Sequence, residues 1–155
     1  MIVGDRSVPL KTMTAEISLA KTDEDIMACW GILRELRTHL VETEFLERIK
    51  LQQSSGYQLC YLAEEGTVRS VAGFRIIENL ASGRVLYVDD LVTDSNARSK
   101  GLGQKMLEWL LSAAKTAGCN TLELDSGVQR FDAHRFYLRN RMHIVSHHFR
   151  INLKA

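Results

Sequence analysis

The chain switches between two hydrophobic periods, and the switches mark out a mixed α/β layer protein. Ala15-Glu16-Ile17-Ser18-Leu19 alternates small or apolar with polar residues, which is a strand pattern. Thr22 or Asp23 then offers an N-cap, and Ile26, Trp30, Leu33, Leu36, Arg37 and Leu40 follow at mostly helical spacing. A shorter helix is expected over 42–53. Residues 57–63 and 68–77 read as the arms of a hairpin around Glu64-Glu65-Gly66, and 84–93 reads as a further strand. Beyond a polar loop at 94–100, Leu102, Met106, Leu110, Ala113 and Ala117 form one helical stripe that Gly118 is placed to stop. A short strand is expected at 121–124. A helix beginning near Asp132 runs through Ala133, Phe136, Tyr137 and Asn140. Residues 143–153 read as strand, bent near Ser146-His147. The expected order is β-α-α-β-β-β-α-β-α-β-β. Residues 1–14 lack clear periodicity and read as a loose tail ahead of a single domain at 15–155.

Composition narrows the function classes. The 155 residues suffice for one domain with a real core. Lys and Arg total 20 against 19 Asp and Glu, and the formal charge of +1 gives no global reason to bind nucleic acid. No apolar run approaches membrane-spanning length and no secretory leader is evident, so a cytoplasmic protein with no membrane partner is expected. Cys29, Cys60 and Cys119 are odd in number and lack metal-knuckle spacing, so they read as reduced thiols. His134, His143, His147 and His148 match no standard zinc signature, and no metal is expected.

The segment richest in chemistry is Leu91-Val92-Thr93-Asp94-Ser95-Asn96-Ala97-Arg98-Ser99-Lys100-Gly101-Leu102-Gly103-Gln104. A strand enters a polar loop, and Arg-x-x-Gly-x-Gly opens directly into an amphipathic helix. Glycine lets backbone approach a ligand closely, and the helix start presents free N–H groups and about half a positive charge. Arg98, Lys100 and Lys105 add full charges, and the combination suits a pyrophosphate. Walker A chemistry is excluded because no Gly-Lys-Ser/Thr occurs. The dinucleotide pattern fails because Met106 stands where its third glycine belongs.

This segment resembles the signature of the GNAT superfamily of acetyl-CoA-dependent N-acetyltransferases, Gln/Arg-x-x-Gly-x-Gly/Ala between a strand and a helix. Ala133-His134-Arg135-Phe136-Tyr137 matches a second block of that family, and the element order agrees over 15–153. The resemblance implies a GNAT-like mixed sheet, with acetyl-CoA as cosubstrate. It implies that the backbone at Leu91, Val92 and Thr93 pairs with the pantetheine arm. Arg98, Ser99, Lys100, Gly101, Leu102, Gly103 and Gln104 would hold the pyrophosphate, and Tyr137 would protonate the leaving thiolate. Members often carry an acidic residue late in the strand before the loop, and Asp89 and Asp90 stand there. Adjacent strand residues face opposite sides, so only one of the two is expected in the cleft.

The chain departs from the family pattern after Asn140, where Arg141-Met142 replaces glycine and an aromatic. A left-handed turn there would be strained. Arg130 also stands where many members have Asn. The run Val128–Arg139 and the closing His148-Phe149-Arg150 are locally similar to family members whose acceptors carry a phosphonate. Arg130, His134 and His147 are accordingly read as binding an anionic acceptor. The expected activity is acetyl transfer to a primary amine of a small molecule by direct attack. A non-catalytic acyl-CoA-binding module and a protein N-acetyltransferase are the alternatives. A homodimer is a further expectation from the family.

Overall fold

A computed structural model describes residues 15–154, and the expected tail at 1–14 lies outside them. The elements in order are β1 (Glu16–Leu19), α1 (Asp23–Ala28), α2 (Trp30–Leu36), α3 (Glu42–Ser54), β2 (Gln58–Glu64), β3 (Thr67–Asn79) and β4 (Gly83–Thr93). A 3-10 turn (Ser95–Ala97), α4 (Leu102–Thr116), β5 (Thr121–Leu124) and α5 (Phe131–Arg139) complete the order. Among the described residues no helix is long and apolar enough to cross a membrane.

The helix expected from Thr22 to Leu40 is two helices that meet at Cys29, whose N–H bonds Ile26 one residue short of α-helical spacing. Thr22 closes a capping box with Asp25: its hydroxyl accepts from the Asp25 N–H and the Asp25 carboxylate accepts from the Thr22 N–H.

The strands lie in the order β1-β2-β3-β4-β5, antiparallel except for the parallel β4–β5 pair. The β2–β3 turn is a two-residue loop with Glu65 and Gly66 at φ 51° and 75°, the left-handed pair that a tightly twisted hairpin needs. One face of the sheet buries Leu59, Val71 and Val92 under α1–α3 with Ile26, Leu33, Phe45 and Ile49. The other buries Leu62, Phe74, Leu86 and Val88 under the α4 stripe of Leu102, Met106 and Leu110.

Two helix ends use the same device with different residues. After α4, the Gly118 N–H bonds the Lys115 carbonyl and the Cys119 N–H bonds that of Ala114, with Gly118 at φ 69°. After α5, Arg141 and Met142 make the same pair of bonds to Leu138 and Tyr137, and Arg141 takes φ 63°. The left-handed turn therefore forms without glycine, at a cost of roughly 1–2 kcal/mol.

Residues 143–153, expected as strand, contain none. Ile144, Val145, Phe149, Ile151 and Leu153 are 75–90% exposed there. The sequence alternates there, but the stretch pairs with no strand among the described residues, although β5 leaves one edge of the sheet open.

Candidate active site

β4 is the element from which the site is built. It pairs with β5 only through Val85–Val88, so Asp89–Thr93 carry no partner on that side. Backbone groups alternate in direction along a strand, so those of Leu91 and Thr93 are free on the side where β5 ends, which suits pairing with an extended amide-bearing chain, whereas those of Val92 point to β3. The strand end is locked in place. The Ser70 hydroxyl bonds the Val92 carbonyl, and Asp94 accepts from the Asn96 N–H (2.9 Å) and from Arg69 (2.7 Å). The Asn96 N–H and then the Arg69 guanidinium hold the Asp94 carboxyl below its ordinary range.

The next loop turns through Ser99 at φ 68° and Gly101 at φ 78°, and α4 starts at Leu102 with no side-chain cap. A Cβ on Gly103 would lie 3.4 Å from Thr93 Oγ1 and 4.0 Å from Phe136 Cζ, so this helix start faces the junction of β4 and α5. Arg98 is 65% exposed, with Glu35 at 3.9 Å, and Lys100 and Lys105 are exposed. An uncapped helix start, a bare glycine face and three cations fit a diphosphate.

The two carboxylates depart from expectation. β4 carries a bulge: Gly73 pairs with Asp90 and Phe74 with Val88, leaving Asp89 without a partner in β3. Alternation is reset at that point. Val88 and Leu91 pack toward α4, whereas Asp89 and Asp90 both line a pocket beneath α2 and α3. The expectation that the two carboxylates face opposite sides of the sheet is thus corrected, because it holds only for an unbroken ladder.

That pocket has a volume of about 270 Å³, and its polar walls include Arg37, His39, Arg48, Arg75 and the two aspartates. Arg37 Nε donates to Asp90 Oδ1 at 2.7 Å and Arg75 Nε to Asp89 Oδ2 at 2.9 Å. The Tyr57 hydroxyl donates to Asp90 Oδ2 at 2.8 Å. Sequence reasoning did not single out Tyr57, Arg75 or Arg48. Arg37 had a readable sign, because a cation there interrupts the apolar face of Leu33, Leu36 and Leu40.

Tyr137 is half-buried on α5, with its ring edge-on to Phe136 at 5.5 Å. Burial pushes its phenol above the ordinary value, against a smaller downward pull from the Arg130 guanidinium. The group is therefore protonated at neutral pH and able to donate. Arg130 and His134 come together at the start of α5, where the His134 ring meets the Gly127 carbonyl at 2.9 Å. His147 is separate from them, exposed on the stretch after α5. Cys29 and Cys60 are buried, and burial pushes both thiols up to about 12. Cys119 lies beyond the far end of α4. None of the three is set up as a nucleophile.

The family model described as "Acetyltransferase (GNAT) family" matches residues 19–141. An uncharacterized N-acetyltransferase of Bacillus subtilis is 36% identical over 115 residues, 74% of this chain and 81% of that one. The aminoalkylphosphonate N-acetyltransferase of Salmonella typhimurium is 38% identical over 52 residues, 34% of each chain. The crystal structure of glucosamine-6-phosphate N-acetyltransferase from Arabidopsis thaliana superposes with a TM-score of 0.69 at 25% identity. It covers 91% of this chain and 99% of its own.

Proposed function

The chain belongs to the GNAT acetyltransferase family and is an acetyl-CoA-dependent N-acetyltransferase, and from that premise we propose that its acceptor is a small primary amine bearing its own anion. The observation that carries this reading is the charge of the 270 Å³ pocket. Three guanidiniums face two carboxylates there. Arg37 and Arg75 are matched, while Arg48 makes no ion pair among the described residues. A phosphonate, phosphate or carboxylate would complete that count, since arginine binds such groups through charge-assisted pairs. The names of two relatives agree, since one acts on aminoalkylphosphonates and another on glucosamine 6-phosphate.

The acceptor amine must first be neutral, and a carboxylate of the Asp89–Asp90 pair accepts its proton. The amine nitrogen then forms a bond to the acetyl carbon of the thioester as the carbon–sulfur bond breaks. The electron pair leaves on sulfur, and Tyr137 donates its phenolic proton there. Direct attack is favoured over an acyl-cysteine route by the buried, high-pKa thiols of Cys29 and Cys60. The free thiols also suit a reducing cytoplasmic setting.

Arg130 and His134 remain in the proposal as further donors on the α5 side, and His147 as one on the stretch after it. A thiol-release assay over an amine panel separates the contributions. Aminoalkylphosphonates or phosphorylated amino sugars should outperform spermidine-like polycations. Arg48→Ala should raise the acceptor KM by about 10- to 100-fold, the loss of one charge-assisted contact, with little change in KM for acetyl-CoA. Arg130→Ala should act in the same direction. A preference for polyamines would exclude the anionic acceptor.

The partner reading includes a homodimer. A monomer would leave the five large apolar side chains of 143–154 in water, and covering them is worth about 1.5–3 kcal/mol per residue. Light scattering should give a dimer for the full chain and a monomer for one ending at Met142. A monomeric full chain would refute the assignment.

A further inference from the structure

The acceptor-side pocket is organised around one buried ring. Tyr57 is 4% exposed, and its hydroxyl holds Asp90. Its face carries the Arg75 guanidinium at 5.6 Å from the ring centroid, and that same Arg75 holds Asp89. Both carboxylates are therefore set by Tyr57, one through the hydroxyl and one through the cation stacked on the ring. The ring reaches this place because residue 73 is glycine. A Cβ there would overlap the Tyr57 hydroxyl and ring carbons. Gly73 does not have a left-handed φ, so the slot rather than the backbone requires glycine.

The two carboxylates differ in what remains available. Asp90 has a donor on each oxygen, Arg37 on Oδ1 and Tyr57 on Oδ2, and its side chain is 12% exposed. Asp89 has Arg75 on Oδ2 and no hydrogen bond to Oδ1 among the described residues, and it is 24% exposed.

We propose that Tyr57, admitted by Gly73, is the positioning residue of the acceptor side, that Asp90 is its strut, and that Asp89 takes the proton from the acceptor amine. The proposal rests on reading this pocket as the acceptor site. The proton passes from the ammonium nitrogen to Asp89 Oδ1, giving a neutral acid and a nucleophilic amine. A strut tolerates an amide where a base does not. Asn at 90 keeps an oxygen for Arg37 and offers an N–H to the Tyr57 oxygen, whereas Asn at 89 has nothing that accepts the proton.

The test compares Asp89→Asn, Asp90→Asn, Asp90→Ala and Tyr57→Phe by kcat, acceptor KM, acetyl-CoA Kd and melting temperature. Asp89→Asn should lower kcat by about 100-fold or more, with Kd and melting temperature retained. Asp90→Asn should lower kcat by far less than Asp89→Asn, only about 3-fold, because the amide keeps a partner for Arg37 and Tyr57 while losing the charge. Asp90→Ala and Tyr57→Phe should each lower kcat by about 10-fold and raise acceptor KM through misplacement of the pocket. Equal damage from the two Asn substitutions would overturn the division of roles. So would a Tyr57→Phe enzyme with unchanged kcat and KM. If neither Asn substitution moves kcat and Arg48→Ala leaves acceptor KM unchanged, the pocket is not the acceptor site, and the reading beneath the proposal fails with it.

Discussion

Replacing Tyr137 with Phe should lower turnover by about 10²–10⁴-fold while the Kd for acetyl-CoA barely moves. The substitution keeps the ring that packs edge-on against Phe136 and deletes only the hydroxyl. A leaving thiolate whose acid has a pKa of about 8.5 gains from a nearby donor that is fully protonated at neutral pH. Burial secures that state, since it raises the Tyr137 phenol above the ordinary tyrosine value. The sign is testable: loss of the acid form comes with rising pH, and at higher pH than for an ordinary tyrosine. Rapid-mixing measurement of CoA thiol release, beside calorimetric binding of acetyl-CoA, reads both quantities. A fall in binding with turnover intact would make Tyr137 a packing residue.

Gly103→Asp should weaken CoA binding by about 100-fold or more with the fold retained, since it costs charge-assisted contacts and adds a negative charge beside a diphosphate. The new side chain would point between Thr93 and Phe136, into the space the helix start faces. Gly103→Ala is the informative companion. Its Cβ would make ordinary van der Waals contacts within the protein, at 3.4 and 4.0 Å. Alanine is favoured over glycine in a helix by roughly 0.5–1 kcal/mol, so the apo protein should melt no lower. A CoA affinity that drops in this unstrained variant would identify close backbone approach as the function of the glycine. Unchanged affinity in both variants would remove the pyrophosphate from this loop.

The proposed cofactor side could be named from the sequence because its candidate determinants are contiguous. Arg98, Gly101 and Gly103 lie within one turn of chain between a strand and a helix, and local pattern suffices to find them. The proposed acceptor pocket is assembled from Arg37 at the end of α2, Arg48 on α3, Tyr57 before β2, Arg75 on β3 and the aspartates on β4. No spacing links such residues, because tertiary packing alone brings them together. The bulge did leave a trace. The apolar positions Leu86 and Val88 are followed by Leu91 rather than residue 90, a break in period two at the two aspartates. The stretch 143–153 read as strand because its alternation is real, but alternation describes a face and says nothing of where the neighbouring edge comes from. The turn at Arg141 formed despite its residue type because both carbonyls at the end of α5 needed donors.

The bulge in β4 also bears on how such a site can arise. Without Asp89, Val88 opposite Phe74 would be followed directly by Asp90 opposite Gly73, an uninterrupted ladder. Leu86, Val88 and Leu91 would still face α4, and Val92 would still face α1–α3. Inserting or deleting this one residue is therefore silent to both cores, although a one-residue slip ordinarily turns a strand inside out. A plain sheet protein could acquire the second carboxylate in one insertion event, and a descendant could lose it as simply, with both cores packed as before and only the Arg75 pair gained or lost.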